Sequence, residues 1–456
     1  MPRSCRAAVA VLLVLCTGVA RAHTNGTVFS SPVDGDSAAL YWNPAAMALS
    51  NTSRVDLIAN FNVLEASYQR FGTDTAQTRQ PFPKVSLLSV RPEPVLGIVL
   101  DRLWHERLRI GFNVTVPTAA GAAWPRTVTQ DGERILGPTR YHVTNGLIFT
   151  VYATVGASLV VHRTLSLGLA VNVAIERVDV HKDVDFANQP ALRDSLACTE
   201  NVTGCESPAL SSPIHLAGTG VSAGASVGVL WAPLPQLRIG AAYSSPAKVP
   251  LRLDVSVDPA ALAAFARRFL PGYTPISLDG SGHTSVTVPQ RAQVAIAGDV
   301  NPAVELMAML QWVNNSATEV VSGVVTTRSS TLLPATLSIP NVRNDTFLFI
   351  ARIVGRIRDR GRVGLSVEYS SKGVPSAYMT PSNLDFNTLV INLGGRLRIG
   401  DTVWLGASYS ETIAFTRTVT ASAYDNSAPV PYNLPDPSGR YTGGGQRIGL
   451  DLSKTF

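Results

Sequence analysis

Residues 155–175 read VGASLVVHRTLSLGLAVNVAI, and their apolar side chains recur at every second position on both sides of His162-Arg163. A period of two is that of a β-strand with one apolar face. The polar pair between the two runs is where the chain turns. The stretch therefore predicts two consecutive β-strands, joined by a tight turn, that each carry an apolar face.

The same alternation predicts strands along most of the chain. Fourteen such segments lie near residues 53–70, 84–102, 107–117, 143–161, 164–181, 215–232, 236–255, 284–299, 303–325, 345–357, 361–371, 384–398, 401–421 and 446–456. Their connections alternate between short ones, at RLWHE, HR, PLP, VNP, RDR and IG, and long ones. Short turns at one end, long loops at the other and an even count are typical of an outer-membrane barrel. We therefore predict an all-β fold, a 14-stranded antiparallel transmembrane β-barrel of the bacterial outer membrane.

The composition leaves two classes of protein open. Charged residues make up 15% of the chain and its mean hydropathy is +0.16. After the first 22 residues, however, no apolar run approaches the ~20 residues of a membrane helix. Such a chain is either a large soluble β protein or a barrel whose apolar residues alternate outward into lipid. The alternating loop lengths favour the barrel.

The first 22 residues have the order of a secretory signal peptide. Two arginines precede the apolar run AAVAVLLVL, and the small-residue site Ala20-Arg21-Ala22 follows it. A lipid-modified cysteine at Cys16 fits less well, because Leu15 is bulky. Removal of the leader takes three arginines, so the formal charge of +6 becomes +3. So small an excess argues against nucleic acid as a partner.

Outside the leader, cysteines and histidines give few signs of chemistry. Cys198 and Cys205 lie close together in LACTENVTGCES, and in an exported protein such a pair predicts a disulfide within a loop. The seven histidines have no H-x-x-x-H spacing, and no catalytic motif is present. We therefore predict no enzyme activity, no cofactor and no metal site.

The residues between the leader and the first strand carry a distinct motif. Residues 34–47 read DGDSAALYWNPAAM, without a strand pattern. A 14-stranded barrel is too wide for its own side chains to fill, so this segment is predicted to fold into the lumen as a plug. The alternative is a periplasmic tail with one ordered turn. The predicted division is 1–22 signal peptide, 23–52 plug and 53–456 barrel, with the plug motif at Asp34, Gly35, Asp36, Tyr41, Trp42, Asn43 and Pro44.

This motif resembles the plug motif of the FadL-type outer-membrane transporters of long-chain fatty acids and hydrocarbons (OMPP1/FadL/TodX), in which an aspartate precedes N-P-A after the signal peptide. Residues 222–246 are similar to that family's strand-turn-strand ending in Y-x-S, and residues 288–313 to its hairpin with a tryptophan strand. The C-terminal GRYTGGGQRIGLDLSKTF resembles the family's last strand. Its terminal Phe456 resembles the signal that the barrel assembly machinery recognises, so that machinery is an expected partner.

The alternation places candidate ligand contacts on the inner wall. Apolar positions beside arginines suit an amphiphile, because its chain leaves water while arginine pairs with a carboxylate. The alternative is that these residues merely pack the plug. The candidates are Met307, Met309, Leu348, Ile350, Arg352 and Arg356.

DPAALAAFARRFLP, residues 258–271, predicts a helix in a long outer loop. The family's outer-loop helices form a hydrophobic capture groove, so the resemblance implies a capture site here. A helix that only caps the barrel mouth is the alternative. The candidate residues are Leu262, Phe265, Arg267, Arg268 and Phe269.

The resemblance implies passive transport of hydrophobic or amphipathic small molecules, such as long-chain fatty acids or aromatic hydrocarbons, across a membrane of lipid and lipopolysaccharide. Two other functions stay open. A general porin would have a polar lumen and no plug, and a barrel scaffold would bind a secreted protein through its loops.

Overall fold

The computed structural model describes residues 25–185, 206–258, 260, 263–264, 267, 279–318, 320–327, 336–340, 342–424 and 435–456. Within these ranges no helix is both long and apolar enough to cross a membrane. The helices are short: α1 (Ala39–Trp42), α2 (Leu103–Glu106) and the 3-10 helices Pro44–Leu49, Pro208–Leu210, Ser316–Thr318 and Ser376–Tyr378.

Strands make up most of the structure. In chain order they are β1 (Arg54–Arg70), β2 (Val85–Arg102), β3 (Leu108–Ala123), β4 (Thr127–Gln130), β5 (Glu133–Leu136), β6 (Asn145–His162), β7 (Leu165–Asp185), β8 (Ser211–Leu234), β9 (Leu237–Ser244), β10 (Ala247–Val257), β11 (Gly280–Val288), β12 (Arg291–Asn301), β13 (Val304–Val313), β14 (Val320–Thr327), β15 (Thr336–Pro340), β16 (Thr346–Ile357), β17 (Gly361–Ser370), β18 (Thr388–Ile399), β19 (Val403–Ala414), β20 (Arg417–Val419) and β21 (Gly439–Thr455).

Fourteen of these strands close into one antiparallel ring. Its order is β1, β2, β3, β6, β7, β8, β9, β12, β13, β16, β17, β18, β19 and β21. β21 then pairs with β1 over the whole of Arg54–Arg70, which closes the ring. The predicted all-β class and the count of 14 membrane strands are confirmed.

Several predicted boundaries differ for local reasons. Residues 236–255 form two strands, β9 and β10, because Pro246 lies between them and has no N–H to donate. β3 continues to Ala123 beyond the predicted end at 117, because an extra residue shifts its alternation. β21 begins at Gly439, since the glycines at 443–445 have no side chains to alternate.

The two faces of the barrel differ in polarity. Outward positions carry exposed apolar side chains, such as Leu169, Val171 and Val173 of β7, whereas the intervening inward positions are buried and include Asn172 and Glu176. An apolar outer face is what lipid requires, because water is absent there. The protein is therefore an integral β-barrel of the outer membrane.

The two ends of the barrel are also distinct. Residues 103–107, 163–164, 235–236, 302–303, 358–360 and 400–402 make the short connections, and β1 starts and β21 ends on the same side. We call this side the short-turn end, which faces the periplasm in outer-membrane barrels, and the opposite side the long-loop end.

Candidate functional site

Residues 25–52, here called the N-terminal segment, lie inside the ring. Most of their side chains are buried, and they meet inward-facing residues of the wall. Asn25 donates to Thr115 Oγ1 at 3.2 Å, and the backbone N–H of Ser37 donates to Asp56 Oδ2 at 2.9 Å. On β6, the next strand of the ring after β3, Ser158 Oγ donates to the Ala45 carbonyl at 3.0 Å. The segment is therefore held from several strands at once.

Asn43 and Pro44 shape this segment. Asn43 is extended, with φ −158°, and its Oδ1 accepts the N–H of Ala45 at 3.1 Å, so it caps the 3-10 helix that Pro44 begins. Its Nδ2 donates to the carbonyls of Pro32, at 2.9 Å, and Val229, at 3.0 Å. One side chain thus caps a helix, ties two parts of the segment and fixes both to β8.

Tyr41 and Trp42 meet edge to face, with ring centroids 5.1 Å apart. Trp42 is 1% exposed, and its Nε1 donates to the Asn25 carbonyl at 2.7 Å. The Arg291 guanidinium of β12 stacks 3.7 Å from the Tyr41 ring centroid and also donates to the Tyr41 carbonyl at 3.0 Å. The aromatic pair therefore links the segment to itself and to the wall.

Gly35 and Asp36 lie where two parts of the segment approach each other closely. A Cβ at Gly35 would be 2.9 Å from the backbone nitrogen of Ser50, closer than Cβ atoms normally approach. Asp36 is buried, and its Oδ2 accepts the hydroxyl of Ser30 at 2.6 Å. The glycine permits close backbone approach, and the carboxylate ties two turns together.

A ring of wall glycines provides the space for the segment. Each lies three to six residues from the short-turn end of its strand, and a Cβ built on it would collide with or crowd residues 28–47. Sequence reasoning missed this set, because a glycine within an alternating strand gives no sign of what it faces. The eight are Gly97, Gly111, Gly156, Gly168, Gly228, Gly240, Gly364 and Gly394.

An ion-pair cluster joins the segment to the wall. Arg352 of β16 donates to Asp34 at 2.8 Å and to Glu305 of β13 at 3.0 Å. Arg356 pairs with Glu305 and Asp299, both at 2.7 Å. Both arginines, predicted to face a ligand carboxylate, here bind carboxylates of the protein. Because Arg352 is buried, its two acidic partners compensate for the loss of its hydration.

The other predicted inner-wall contacts also meet the segment. Their side chains are all at most 5% exposed on β13 and β16, and they pack in one apolar cluster with Val33, Trp42 and Ala45. The contacts that the structure gives them are thus with the protein itself. They are Met307, Met309, Leu348 and Ile350.

Beyond the segment, toward the long-loop end, the lumen is lined by a large apolar cluster. We call this cluster the apolar lining, and Tyr41 packs against it from below. Strand residues and loop residues both contribute, so the lining is continuous from the wall to the loops at the long-loop end. Its buried members include Leu64, Leu87, Ile148, Val178, Leu216, Leu251, Trp124, Leu210, Met379 and Phe386.

The wall is broken between β2 and β3. Their register runs from Leu100↔Ile110 to Val95↔Thr115 and ends there, although β2 stays paired with β1 up to Val85 and β3 with β6 up to Ala123. Within the described residues, 85–94 and 116–123 therefore form no pair with each other. We call this region the wall break.

A β-bulge in β3 accounts for the wall break. Thr115 faces Tyr152 of β6 and Thr118 faces Thr150, so two residues of β3, Val116 and Pro117, oppose one of β6. A bulge bends its strand and increases the local twist, which turns β3 away from β2.

Prolines on β2 suit an unpaired edge. Pro92 and Pro94 take part in an unbroken register with β1, so their nitrogens must face β3. These nitrogens carry no hydrogen, and the edge therefore leaves fewer donors unpaired in the membrane. Arg91 reaches across from the same edge and lies against Gly121 of β3.

Several predicted residues lie outside the described residues. These are both cysteines, Cys198 and Cys205, and most of the outer-loop helix candidates, Leu262, Phe265, Arg268 and Phe269. Arg267 is described and exposed. At the start of that helix, Asp258 Oδ1 accepts the N–H of Ala260 at 2.9 Å, as a helix cap does.

A closed outer-membrane barrel whose lumen is filled at one end and apolar at the other defines a channel-like membrane protein. Residues 5–338 match the protein family described as "Outer membrane protein transport protein (OMPP1/FadL/TodX)". The chain belongs to this family of outer-membrane transport proteins, and the resemblance in its sequence is confirmed.

Solved structures show the same fold at low sequence identity. A Pseudomonas aeruginosa FadL homologue has a TM-score of 0.75 and 18% identity, covering 99% of this chain and 100% of its own. The P. putida toluene transporter TodX has a TM-score of 0.66 and 12% identity, covering 92% and 94%. The Ralstonia pickettii toluene transporter TbuX has a TM-score of 0.62 and 15% identity, covering 97% and 99%. A search of curated proteins gives no match.

Proposed function

We propose that this chain passively carries hydrophobic or amphipathic small molecules across the outer membrane and has no catalytic role. The molecule enters from the long-loop end, where the predicted helix of residues 258–271 is the proposed capture site, and passes into the apolar lining. Related barrels are described as toluene transporters, and long-chain fatty acids or aromatic hydrocarbons are the proposed substrate class. The N-terminal segment acts as the plug.

The observation that carries this proposal is the position of the wall break relative to the plug. Asn25 contacts Thr115, the last residue of β3 that pairs with β2. The lumen is therefore filled up to the level at which the wall break begins. A molecule in the apolar lining is blocked along the barrel axis and meets an unpaired part of the wall.

The surroundings of the wall break match an apolar cargo. Val85 and Leu87 of β2 belong to the apolar lining, whereas Leu88 and Val90 of the same strand are 61% and 59% exposed on the outer face. An apolar molecule that moves sideways has to displace the Arg91 side chain, which lies across the break against Gly121, and it then passes from apolar protein to lipid without contacting water. The free energy of hydrating its surface, about 25 cal/mol per Å², is then never required.

The inner-wall candidates keep a role in this proposal only if the plug moves. Arg352, Arg356 and the apolar residues Met307, Met309, Leu348 and Ile350 would become accessible to a ligand once the N-terminal segment leaves them. A sideways route needs no such movement, so it is the simpler path.

Deletion of Pro117 tests the route. Because β3 has one residue more than β6 at the bulge, the deletion restores a regular register and keeps Thr115 opposite Tyr152 and Thr118 opposite Thr150. We expect β2 and β3 to pair beyond Val95 and uptake of a fluorescent fatty acid or radiolabelled toluene by whole cells to fall several-fold. Pro117→Ala keeps the extra residue and is the matched control, with uptake unchanged.

Two results would count against the proposal. Full uptake by a deletion variant that is correctly folded would exclude the sideways route. The second result is that native mass spectrometry of the gently purified protein finds no fatty acid or hydrocarbon. A bound protein in their place would then indicate a scaffold, and free ion conductance in planar bilayers would indicate a porin.

Two further partners belong to the proposal. A row of outward-facing basic residues crosses neighbouring strands just above the apolar band: Arg177 of β7, Arg252 of β10 and His283 of β11. Thr219 of β8 is the register partner of both arginines, and His283 is the register partner of Arg252. We propose that this row contacts lipopolysaccharide phosphates, so Arg252→Ser should reduce the lipopolysaccharide that copurifies, and Arg360→Ser at the short-turn end should not. The barrel assembly machinery is the proposed partner of β21 during folding, and removal of Phe456 should slow assembly.

A further inference from the structure

Three metal-ligating side chains converge on the outer face of the barrel, above the membrane. Asp179 and His181 lie on β7, and His215 lies on β8. Their potential ligand atoms all lie within 4.8 Å of one another. The cluster is separate from the lumen, the plug and the wall break.

The sheet itself sets this arrangement. His181 and His215 are direct register partners on neighbouring strands, and Asp179 precedes His181 by two residues, so all three side chains leave the same face. His215 Nε2 lies 3.0 Å from Asp179 Oδ1, and His181 Nε2 lies 3.3 Å from the same oxygen. Regular paired backbone therefore positions two imidazole nitrogens around one carboxylate.

Ions can reach the cluster from outside the cell. The two histidine side chains are 44% and 41% exposed, and the Asp179 side chain is 26% exposed. The outermost exposed apolar residues below them, Ile175 and Val221, mark the upper limit of the lipid-facing surface on these strands. The cluster is thus in contact with the external medium.

The chemistry of the donors selects the class of ion. Two neutral imidazoles and one carboxylate suit zinc and its neighbours among the divalent transition metals, and they leave a fourth position for water. Calcium and magnesium prefer oxygen donors and fit this set poorly. We propose that Asp179, His181 and His215 form a binding site for a divalent transition metal ion, with Zn²⁺ as the ion that fits best.

Small side-chain rotations complete the site. The two imidazole rings are stacked, with centroids 4.0 Å apart and planes 8° from parallel. A metal ion lies in the plane of each ring that binds it, so the rings must tilt toward each other. This requires only rotation about the second side-chain torsion, whose energy profile is broad for histidine.

Arg177 orients the carboxylate. Its Nη2 lies 3.5 Å from Asp179 Oδ2, on the oxygen that the histidines do not share. A partner of this kind fixes a ligand without binding the ion itself. A bound ion would join β7 to β8 near Asp185 and Ser211, where the two strands end and begin at the long-loop end.

Sequence spacing gave no sign of this site. The pattern D-x-H is too short to be specific, and His215 is distant in the chain. Only the register of β7 and β8 places His215 opposite His181 and so brings the three side chains together.

Titration of the full-length protein with Zn²⁺ tests the proposal. The protein is purified in detergent without a polyhistidine tag, stripped with a chelator and titrated calorimetrically. We expect one site per chain and a higher Tm when zinc is bound. His181→Ala and His215→Ala should each weaken binding by about tenfold or more, and Asp179→Asn should weaken it less, because an amide oxygen remains.

His283→Ala is the matched control. His283 is another exposed histidine of the outer face, on β11, and its replacement should leave zinc binding unchanged. Retention of heat-modifiable migration on gels shows that each variant still forms a barrel. Absence of stoichiometric binding, full affinity in the folded His181→Ala and His215→Ala variants, or an equal loss in His283→Ala would each overturn the proposal.

Discussion

Asn43 of the N-terminal segment donates a hydrogen bond from its side-chain amide to the carbonyl oxygen of Val229 on β8, 3.0 Å away. The neighbouring Gly228 makes this approach possible, because a Cβ there would collide with Asn43 Oδ1. A side chain of the N-terminal segment thus bonds directly to the backbone of the barrel wall.

Replacement of Asn43 by Ala should loosen the plug. The variant loses the bonds to Ala45, Pro32 and Val229, and each such bond contributes about 1 kcal/mol net. We expect the free energy of unfolding to fall by roughly 1–3 kcal/mol and ion conductance in planar bilayers to rise. Thr52→Ala, at the exposed end of the segment, is the control. An unchanged conductance in a folded Asn43→Ala barrel would show that the plug is held without this residue.

The glycine ring makes a second prediction. A Cβ at Gly168 would collide with Ala45 and Pro44, whereas a Cβ at Gly298 would be 3.9 Å from its nearest neighbour. We therefore expect Gly168→Val to displace the N-terminal segment and make it accessible to protease, because backbone cannot yield as a flexible side chain does. Gly298→Ala should leave it protected. Equal protection in both variants would mean that the wall at Gly168 accommodates a larger residue without displacing the N-terminal segment.

Arg352 makes the strongest test of the ion-pair cluster. Its replacement by Met leaves Asp34 and Glu305 without their shared partner in a buried site, and loss of one member of a buried pair costs about 3–5 kcal/mol. Chemical denaturation and bilayer conductance measure the effect. The double variant Arg352→Gln with Asp34→Asn should recover part of the stability, because neutral amides can bond to each other. Arg360→Gln, an exposed arginine at the short-turn end, should have no effect.

Acid should lower the stability of the protein through His142. His142 lies outside the strands and is fully buried, and this burial lowers its pKa well below the usual range, with the charges of Arg70 and Lys182 acting in the same direction. The folded state therefore holds His142 neutral, while the unfolded chain takes up a proton below about pH 6.5.

Proton uptake by the unfolded chain determines the direction in which stability changes with pH. Stability is constant with respect to this group above about pH 6.5 and falls below it by up to about 1.4 kcal/mol per pH unit, until the lowered pKa is reached. Melting temperatures between pH 8 and pH 5 should show the fall, and His142→Gln should flatten it. His162→Gln, at an exposed short turn, should keep the slope. A slope unaffected by either change would assign the acid sensitivity to other groups.

The sequence was informative where a local pattern reports a local environment. Alternation along residues such as Leu165 to Ile175 reflects one face in lipid and one in the lumen, so strands and their number could be predicted. The turn at Asn43-Pro44 was visible because these two residues set it by their own chemistry.

Relationships between distant segments could not be predicted in this way. Arg352 was expected to face the lumen, but its partner Asp34 lies on a segment with no periodicity. The bulge at Val116 and Pro117 became apparent only against β6, because a bulge is a property of two strands. The cluster of Asp179, His181 and His215 likewise depends on which residue β8 places opposite His181.

The pairing of β1 with β21 has a consequence for the order of folding. The N-terminal segment precedes β1 in the chain, yet it lies inside a ring that closes only when β21 joins β1. Without that pairing the strands form an open sheet, whose inner face the segment can reach from the side. Once the seam has formed, residues 25–52 are enclosed on all sides by hydrogen-bonded wall below the wall break. A segment that arrives later has to enter the finished barrel through one of its ends, so we expect the segment to be in place before β21 joins β1.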